Sequence, residues 1–142
     1  MEEKSSIEVV RAFWKAFAVR DLDTATNVYM SDECEFVLPG APPMKGRAAV
    51  RAMFDAYVRA FPDFRAEPLH EIDRGDTYAG ETVFRGTHRG TLATLHGELP
   101  PTGREVTWQS GDIVRVRDGR ITSWHAYHDT LPLLAQLGVA LG

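Results

Sequence analysis

Residues 112–129 read DIVRVRDGRITSWHAYHD, and the fold turns on how this stretch is divided. Asp118-Gly119 stands between two runs rich in β-branched and aromatic residues. An Asp-Gly pair in that setting marks a hairpin, because the tight turn needs positive φ at both central positions. The stretch is therefore two antiparallel strands, the first reaching back past Trp108. Side chains alternate between strand faces. On the second strand Trp124, Ala126 and His128 share one face, and His125, Tyr127 and Asp129 share the other. On the first, Trp108, Ser110, Asp112, Val114 and Val116 go together, opposite Thr107, Gln109, Gly111 and Ile113. Alternation defines the faces and leaves open which one lines the interior; a bulge would shift the phase locally.

Working outward, RAEPLHEIDRGD (65–76) is a strand and turn, and TYAGETVFRGTH (77–88) is a longer strand with Phe84, Gly86 and His88 on one face. CEFVLPG (34–40) is an earlier strand ending at Pro39-Gly40. The remaining N-terminal sequence has helical periodicity. Ile7, Val10, Phe13, Trp14 and Phe17 form a stripe over 5–20, with Ser5 and Glu8 spaced as a capping box. A second short helix starts at Asp21 and runs to about Met30, with Ala25, Val28 and Tyr29 inward. A third spans Arg47 to Ala60 with Val50, Met53, Phe54, Tyr57 and Val58 as its stripe, stopped by Pro62. TLPLLAQLG (130–138) is a short amphipathic helical turn. Helices followed by a mostly antiparallel sheet make an α+β fold, one domain over residues 1–142. A strongly curved sheet wrapped around the first helices leaves a pocket between them.

The chain has 142 residues, 44% hydrophobic and 25% charged, with a formal net charge of −4. This is the composition of a soluble globular domain. Lys and Arg are not gathered into a patch that would track phosphates, so nucleic acid is not an expected partner. No apolar run is long enough to span a bilayer, and MEEKSSIEVV lacks an apolar signal core. The single Cys34 cannot close an internal disulfide. A cytoplasmic protein without membrane contact is expected. GTHRG and PPTGR lack the strand-to-helix setting of a nucleotide-binding loop, and no His/carboxylate spacing reads as a metal site. No cofactor and no metal are expected.

The motifs Arg85-Gly86-Thr87-His88, Pro101-Thr102-Gly103-Arg104, Asp118-Gly119-Arg120-Ile121 and Leu134-Ala135-Gln136-Leu137-Gly138, with AFPDFR at 60–65, follow one another in the order seen in SnoaL-like polyketide cyclases. The chain resembles this family of the nuclear-transport-factor-2-like superfamily over nearly its whole length. The resemblance implies a cone-shaped α+β barrel with N-terminal helices packed into the sheet. It also implies a deep apolar pocket for a hydrophobic small molecule and a homodimer through the outer sheet face. Cyclases of the family close a ring by intramolecular aldol condensation, with a pocket carboxylate on the strand after the Asp-Gly hairpin. That position is Ala126 here, and the Arg-x-Asp pair of epoxide hydrolases is missing from GETVFRG (80–86).

If Ala126 points inward, so do Trp124, His128 and Asp112. A partly desolvated Asp112 has its pKa raised toward the range of a general base, and His128 titrates there unaided. The candidate catalytic residues are Asp112, His128 and His88, the carboxylate orienting an imidazole. The candidate pocket wall is Trp14, Phe17, Tyr29, Phe36, Met53, Phe84, Trp108, Ser110, Trp124 and Ala126. Each has a plainer reading: Asp112 as a hydrogen-bonded strand residue, His88 as a turn staple, His128 at an exposed strand end, the aromatics as core. His125, Tyr127 and Asp129 suit the outer face, and His70 and His96 have no partner in sequence. The function that fits is cofactor-independent ring closure or isomerisation of a polyketide-like or aromatic carbonyl compound. The alternatives are a non-catalytic binding protein of the same fold and a relative of the hydroxylases or epoxide hydrolases. A pure scaffold domain would instead have its pocket filled by Trp14, Trp108 and Trp124.

Overall fold

The hairpin at Asp118-Gly119 forms as the sequence reads, with φ of 52° and 72° at the two turn residues. It joins the two strands that carry the site. In the computed structural model, residues 4–94 and 97–140 are described; His96 lies outside them. In chain order they form α1 (Ser6–Ala18), α2 (Leu22–Tyr29), β1 (Met30–Val37), β2 (Met44–Lys45), α3 (Arg47–Ala60), β3 (Arg65–Asp73) and β4 (Thr77–Thr87). These are followed by β5 (Leu92–Thr94), β6 (Gly97–Leu99), β7 (Glu105–Arg117), β8 (Arg120–His128) and α4 (Thr130–Gln136). One mixed sheet has the order β2-β1-β8-β7-β4-β3, and β5-β6 is a separate small ribbon. All pairs are antiparallel except β1 with β8, which is parallel.

The alternation holds through the site. Val114, Asp112 and Ser110 pair with Trp124, Ala126 and His128 in direct register, and the register shift in this hairpin lies between Arg115 and Val116, on the turn side of these residues. The inward face is Trp108, Ser110, Asp112, Val114 and Val116 on β7 with Ile121, Trp124 and Ala126 on β8, all buried. Thr82, Phe84, Gly86 and His88 continue it along β4 and its end. Helix α1 lies across this concave surface. Phe13 meets Trp14, Phe54 and Trp124 at centroid distances of 5.0, 5.4 and 5.2 Å. The contacts with Trp14 and Trp124 are edge-on, a favoured arrangement for aromatic pairs at this spacing.

The N-terminal helices differ in detail from their sequence reading. At α1 no side chain caps the backbone; instead Ser5 Oγ donates to Glu8 Oε1 at 3.1 Å. At α2 Asp21 does cap, accepting from the Thr24 N–H at 3.1 Å. The buried face of α2 is Leu22, Ala25 and Thr26. Val28 faces solvent, and Tyr29 is half-buried with Lys4 Nζ 5.5 Å above its ring. No described helix is long and apolar enough to cross a membrane.

Candidate active site

The floor of the cone is a buried carboxylate. Asp112 is 3% exposed. Its Oδ2 accepts from Thr82 Oγ1 at 2.8 Å, Ser110 Oγ lies 3.0 Å from both carboxylate oxygens, and Trp124 Nε1–H donates to Oδ1 at 3.3 Å. The donors come from β4, β7 and β8, so the cluster stitches three neighbouring strands together. Burial pushes the Asp112 carboxyl up from its ordinary value, while the hydrogen bonds from Thr82, Trp124 and Ser110 act in the opposite direction. The net shift is upward. The expected pairing of Asp112 with a histidine is not formed, since hydroxyl and indole donors occupy the carboxylate.

His128 has a different environment. Its ring lies 5.2 Å from Phe84 at an interplanar angle of 8°, and 6.5 Å from Tyr57 at 11°. Trp108 Nε1–H donates to His128 Nδ1 at 3.1 Å. Burial among these rings lowers the imidazole pKa to about 4, so the ring is neutral at pH 7.

Two spaces meet at His128. An inner cavity of about 20 Å³ is lined by Trp14, Phe36, Met53, Phe54, Tyr57, Phe64, Phe84, Asp112, Trp124, Ala126 and His128. That is room for about one water molecule. A wider vestibule of about 360 Å³ opens at the mouth, between Leu38, Pro39 and Ala41, Leu92–Thr94 of β5, and Thr130, Leu133 and Leu134 of α4. Tyr57 and His128 line both. The interior is thus largely filled by aromatic rings, and the larger part of the open space lies at the mouth.

Of the residues singled out in the sequence, Asp112, His128, Trp14, Phe36, Met53, Phe84, Trp124 and Ala126 are together on the inner cavity. Ser110 and Trp108 stand just behind, bonded to Asp112 and His128. Phe17 is buried in the helix core beside Trp14, at 5.4 Å. Tyr29 is half-buried against the core and lines neither space. His88 is also elsewhere: its Nδ1 accepts from the Thr102 backbone N–H at 3.1 Å and lies 3.0 Å from Thr102 Oγ1. Burial lowers its pKa, a backbone contact with Gly90 opposing. Phe54, Tyr57 and Phe64 were not singled out as wall residues. The first two sit on the α3 stripe, whose periodicity marks an inward face without separating core from cavity. Among the described residues no three His, Cys, Asp or Glu side chains cluster as metal ligands.

The family model for SnoaL-like polyketide cyclases matches residues 7–137. A SnoaL-like structure from Jannaschia sp. CCS1 superposes with a TM-score of 0.82 at 15% identity, covering 99% of this chain and 100% of that one. IdmH from Streptomyces antibioticus, a candidate polyketide cyclase, gives 0.76 at 29% identity over 93% of this chain and 97% of its own. AclR from Streptomyces galilaeus, a candidate hydroxylase, gives 0.77 at 21% identity, covering 92% and 79%. With a concave aromatic interior, a mixed curved sheet and a family match over almost its full length, the chain belongs to the SnoaL-like polyketide cyclases.

Proposed function

We propose that the protein is a cofactor-independent enzyme that closes a ring in, or isomerises, a polyketide-like or aromatic carbonyl compound, with Asp112 as the proton acceptor. The observation that carries this reading is the register of the central hairpin: Asp112 is the direct cross-strand partner of Ala126. Side chains so paired stand within about 5.5 Å at Cβ on the same face. A carboxylate on β7 therefore serves the same level of the cone as one on β8 at Ala126 would. Its raised pKa suits a group that must both take and return a proton.

In the proposed reaction the substrate body sits in the apolar vestibule, and its reacting end passes Tyr57 and His128, the aromatic side chains around the small inner cavity parting to admit it. Asp112 takes the proton from a carbon next to a carbonyl. Electrons move onto the carbonyl oxygen, which accepts a hydrogen bond from His128 Nε2–H. The enolate carbon forms the new C–C bond to a second carbonyl carbon of the same molecule, and the resulting alkoxide recovers the proton from Asp112. A neutral imidazole is suited to this donor role, as a hydrogen bond to developing negative charge in a dry site is strong. Asp112→Asn keeps the shape and most hydrogen bonds and is expected to lower turnover 10²- to 10⁴-fold, roughly the contribution of general acid–base catalysis. The assay is ring closure of poly-β-carbonyl model substrates, with the circular dichroism spectrum unchanged. Full activity in both Asp112→Asn and His128→Gln would remove the proposal.

A second reading is a ligand-binding protein without turnover. The narrow inner cavity and the methyl group at Ala126 favour it. Ligand binding with no pH-dependent turnover of any carbonyl substrate would establish it. Either reading is compatible with a homodimer through the outer sheet face, where Ile113 and Tyr127 are 44% and 53% exposed.

A further inference from the structure

We propose that Trp108 is a positioning residue: its indole N–H fixes His128 as the Nε2–H tautomer and aims that proton at the junction between vestibule and inner cavity. The inference deepens the role given to His128 above and rests on it for its functional meaning, but the tautomer itself follows from geometry alone.

An indole N–H can only donate. The 3.1 Å contact from Trp108 Nε1 to His128 Nδ1 therefore requires Nδ1 to carry a lone pair. A neutral imidazole with an accepting Nδ1 holds its proton on Nε2. Trp108 lines neither cavity, so the Nδ1 edge faces into the protein and the Nε2 edge faces the spaces that the ring lines. Rotation about the ring is restrained as well, since the imidazole lies almost parallel to both Phe84 and Tyr57. Trp108 is itself held. It is 2% exposed, and its ring packs on Phe61, Phe64 and Phe84 at 5.2, 5.9 and 5.4 Å.

The lock has a second effect. Protonating His128 would place a hydrogen on Nδ1 facing the indole N–H, so the contact opposes the imidazolium as burial does. The titratable groups lining the two spaces are Tyr57, Asp112 and His128 itself. The Asp112 carboxylate is taken by Thr82, Ser110 and Trp124 and makes no hydrogen bond to the imidazole. His128 is thereby an obligate hydrogen-bond donor toward a ligand in the neutral pH range, and cannot exchange roles with Asp112 as the base.

The test is long-range ¹H–¹⁵N spectroscopy of the full chain labelled at histidine, the His128 signals being assigned by their loss in His128→Gln. In the wild-type protein His128 is expected as the Nε2–H tautomer from pH 8 down to its titration near pH 4, and the Trp108 indole N–H resonance is expected to shift with the same midpoint. Trp108→Phe removes the N–H and keeps an aromatic ring. It is expected to give mixed tautomers and to move the midpoint up by about one unit, since the neutral form loses its hydrogen bond. His88, whose Nδ1 accepts from the Thr102 backbone, is the internal control and should not change. A wild-type Nδ1–H tautomer, or an indole resonance indifferent to the His128 titration, overturns the proposal even if Trp108→Phe does not fold. An unchanged tautomer and midpoint in folded Trp108→Phe does so too. A confirmed lock in a protein that turns over no carbonyl substrate would uphold the inference and remove the enzymatic reading, so the two fail separately. Where turnover is measurable, Trp108→Phe should lower kcat about tenfold with KM nearly unchanged, as loss of an interaction made mainly in the transition state does.

Discussion

At the scale of single residues, Asp112 and His128 show burial acting on an acid and a base in opposite senses. Desolvation disfavours whichever form is charged, so the carboxyl is pushed up and the imidazole down. Their effects on stability are opposed too. His128 titrates near 6.5 in the unfolded chain and about 4 in the fold. Between those values the unfolded chain binds more protons, so stability from this group is present above pH 6.5 and is lost as the pH falls toward 4. The loss by pH 4.5 is roughly 2 to 3 kcal/mol. Asp112 works the other way, because its folded carboxyl takes a proton before its unfolded one does. Urea unfolding of wild type and His128→Gln at pH 7 and pH 4.5 isolates the histidine, the wild type losing more stability by this amount. Equal losses would show that His128 is not held neutral. The face carrying both residues was legible in sequence because the Asp-Gly turn fixes the hairpin and the side-chain period is two. What they bond to was not legible. Thr82 and Trp108 reach Asp112 and His128 from other strands, and nothing local in the sequence announces such a partner.

At the scale of elements, the motifs that carry the family resemblance turn out to be fastenings. Asp63 of AFPDFR accepts from the Thr87 backbone N–H at 2.6 Å and from Thr87 Oγ1 at 2.7 Å, tying the end of α3 to the end of β4. Gln136 of LAQLG exchanges hydrogen bonds with the Thr107 backbone, at 2.9 Å to Oε1 and 2.7 Å from Nε2, docking α4 on β7. The backbone N–H groups of Arg89 and Gly90 donate to the Ala60 carbonyl. Gly90 is the tightest of these points, since a Cβ there would stand 2.1 Å from the Arg59 carbonyl oxygen. Backbone must move to admit it. Gly90→Ala is expected to cost about 1 to 3 kcal/mol, the usual range for overpacking, as a lowered urea midpoint with an unchanged slope. A midpoint within error of wild type would mean that α3 is free to shift from β4. These motifs revealed the fold well and the chemistry poorly because the bonds they make hold elements together around the site; of their side chains Phe64 and Leu134 line the two spaces, and both are apolar. The one misplaced residue on the inward face of α2, Val28, has a related cause. Over eight residues a helical stripe is short, and the Met30 strand start, not Val28, supplies the buried apolar group.

At the scale of the whole molecule, the cone is closed at one end by aromatic packing and open at the other into the vestibule. The outer sheet face is the remaining large surface. Ile113 pairs with Ala79 on β4 and His125 on β8, and Tyr127 lies beside Gly111, giving an apolar strip on an otherwise polar face. A dimer formed there would cover it. Ile113→Lys is expected to shift a homodimer toward monomer in sedimentation velocity, by tenfold or more in dissociation constant for one buried charge at the centre of the patch. A wild type that sediments as a monomer, or an Ile113→Lys variant as dimeric as wild type, would place the interface elsewhere.

The parallel seam between β1 and β8 has a consequence for how the chain comes into being. Phe36 pairs with Trp124 across that seam, so a strand made early must wait for one made almost last. Contacts so distant in the chain close slowly, because the entropy of the intervening loop must be overcome before they form. During synthesis β1 therefore has only the short β2 to pair with on one side. Asp112, on β7, is likewise emitted before Trp124 can reach it. A shortened product ending before β8 keeps the Thr82 and Ser110 donors but lacks Trp124, so the Asp112 carboxylate loses its one bond to the last strand.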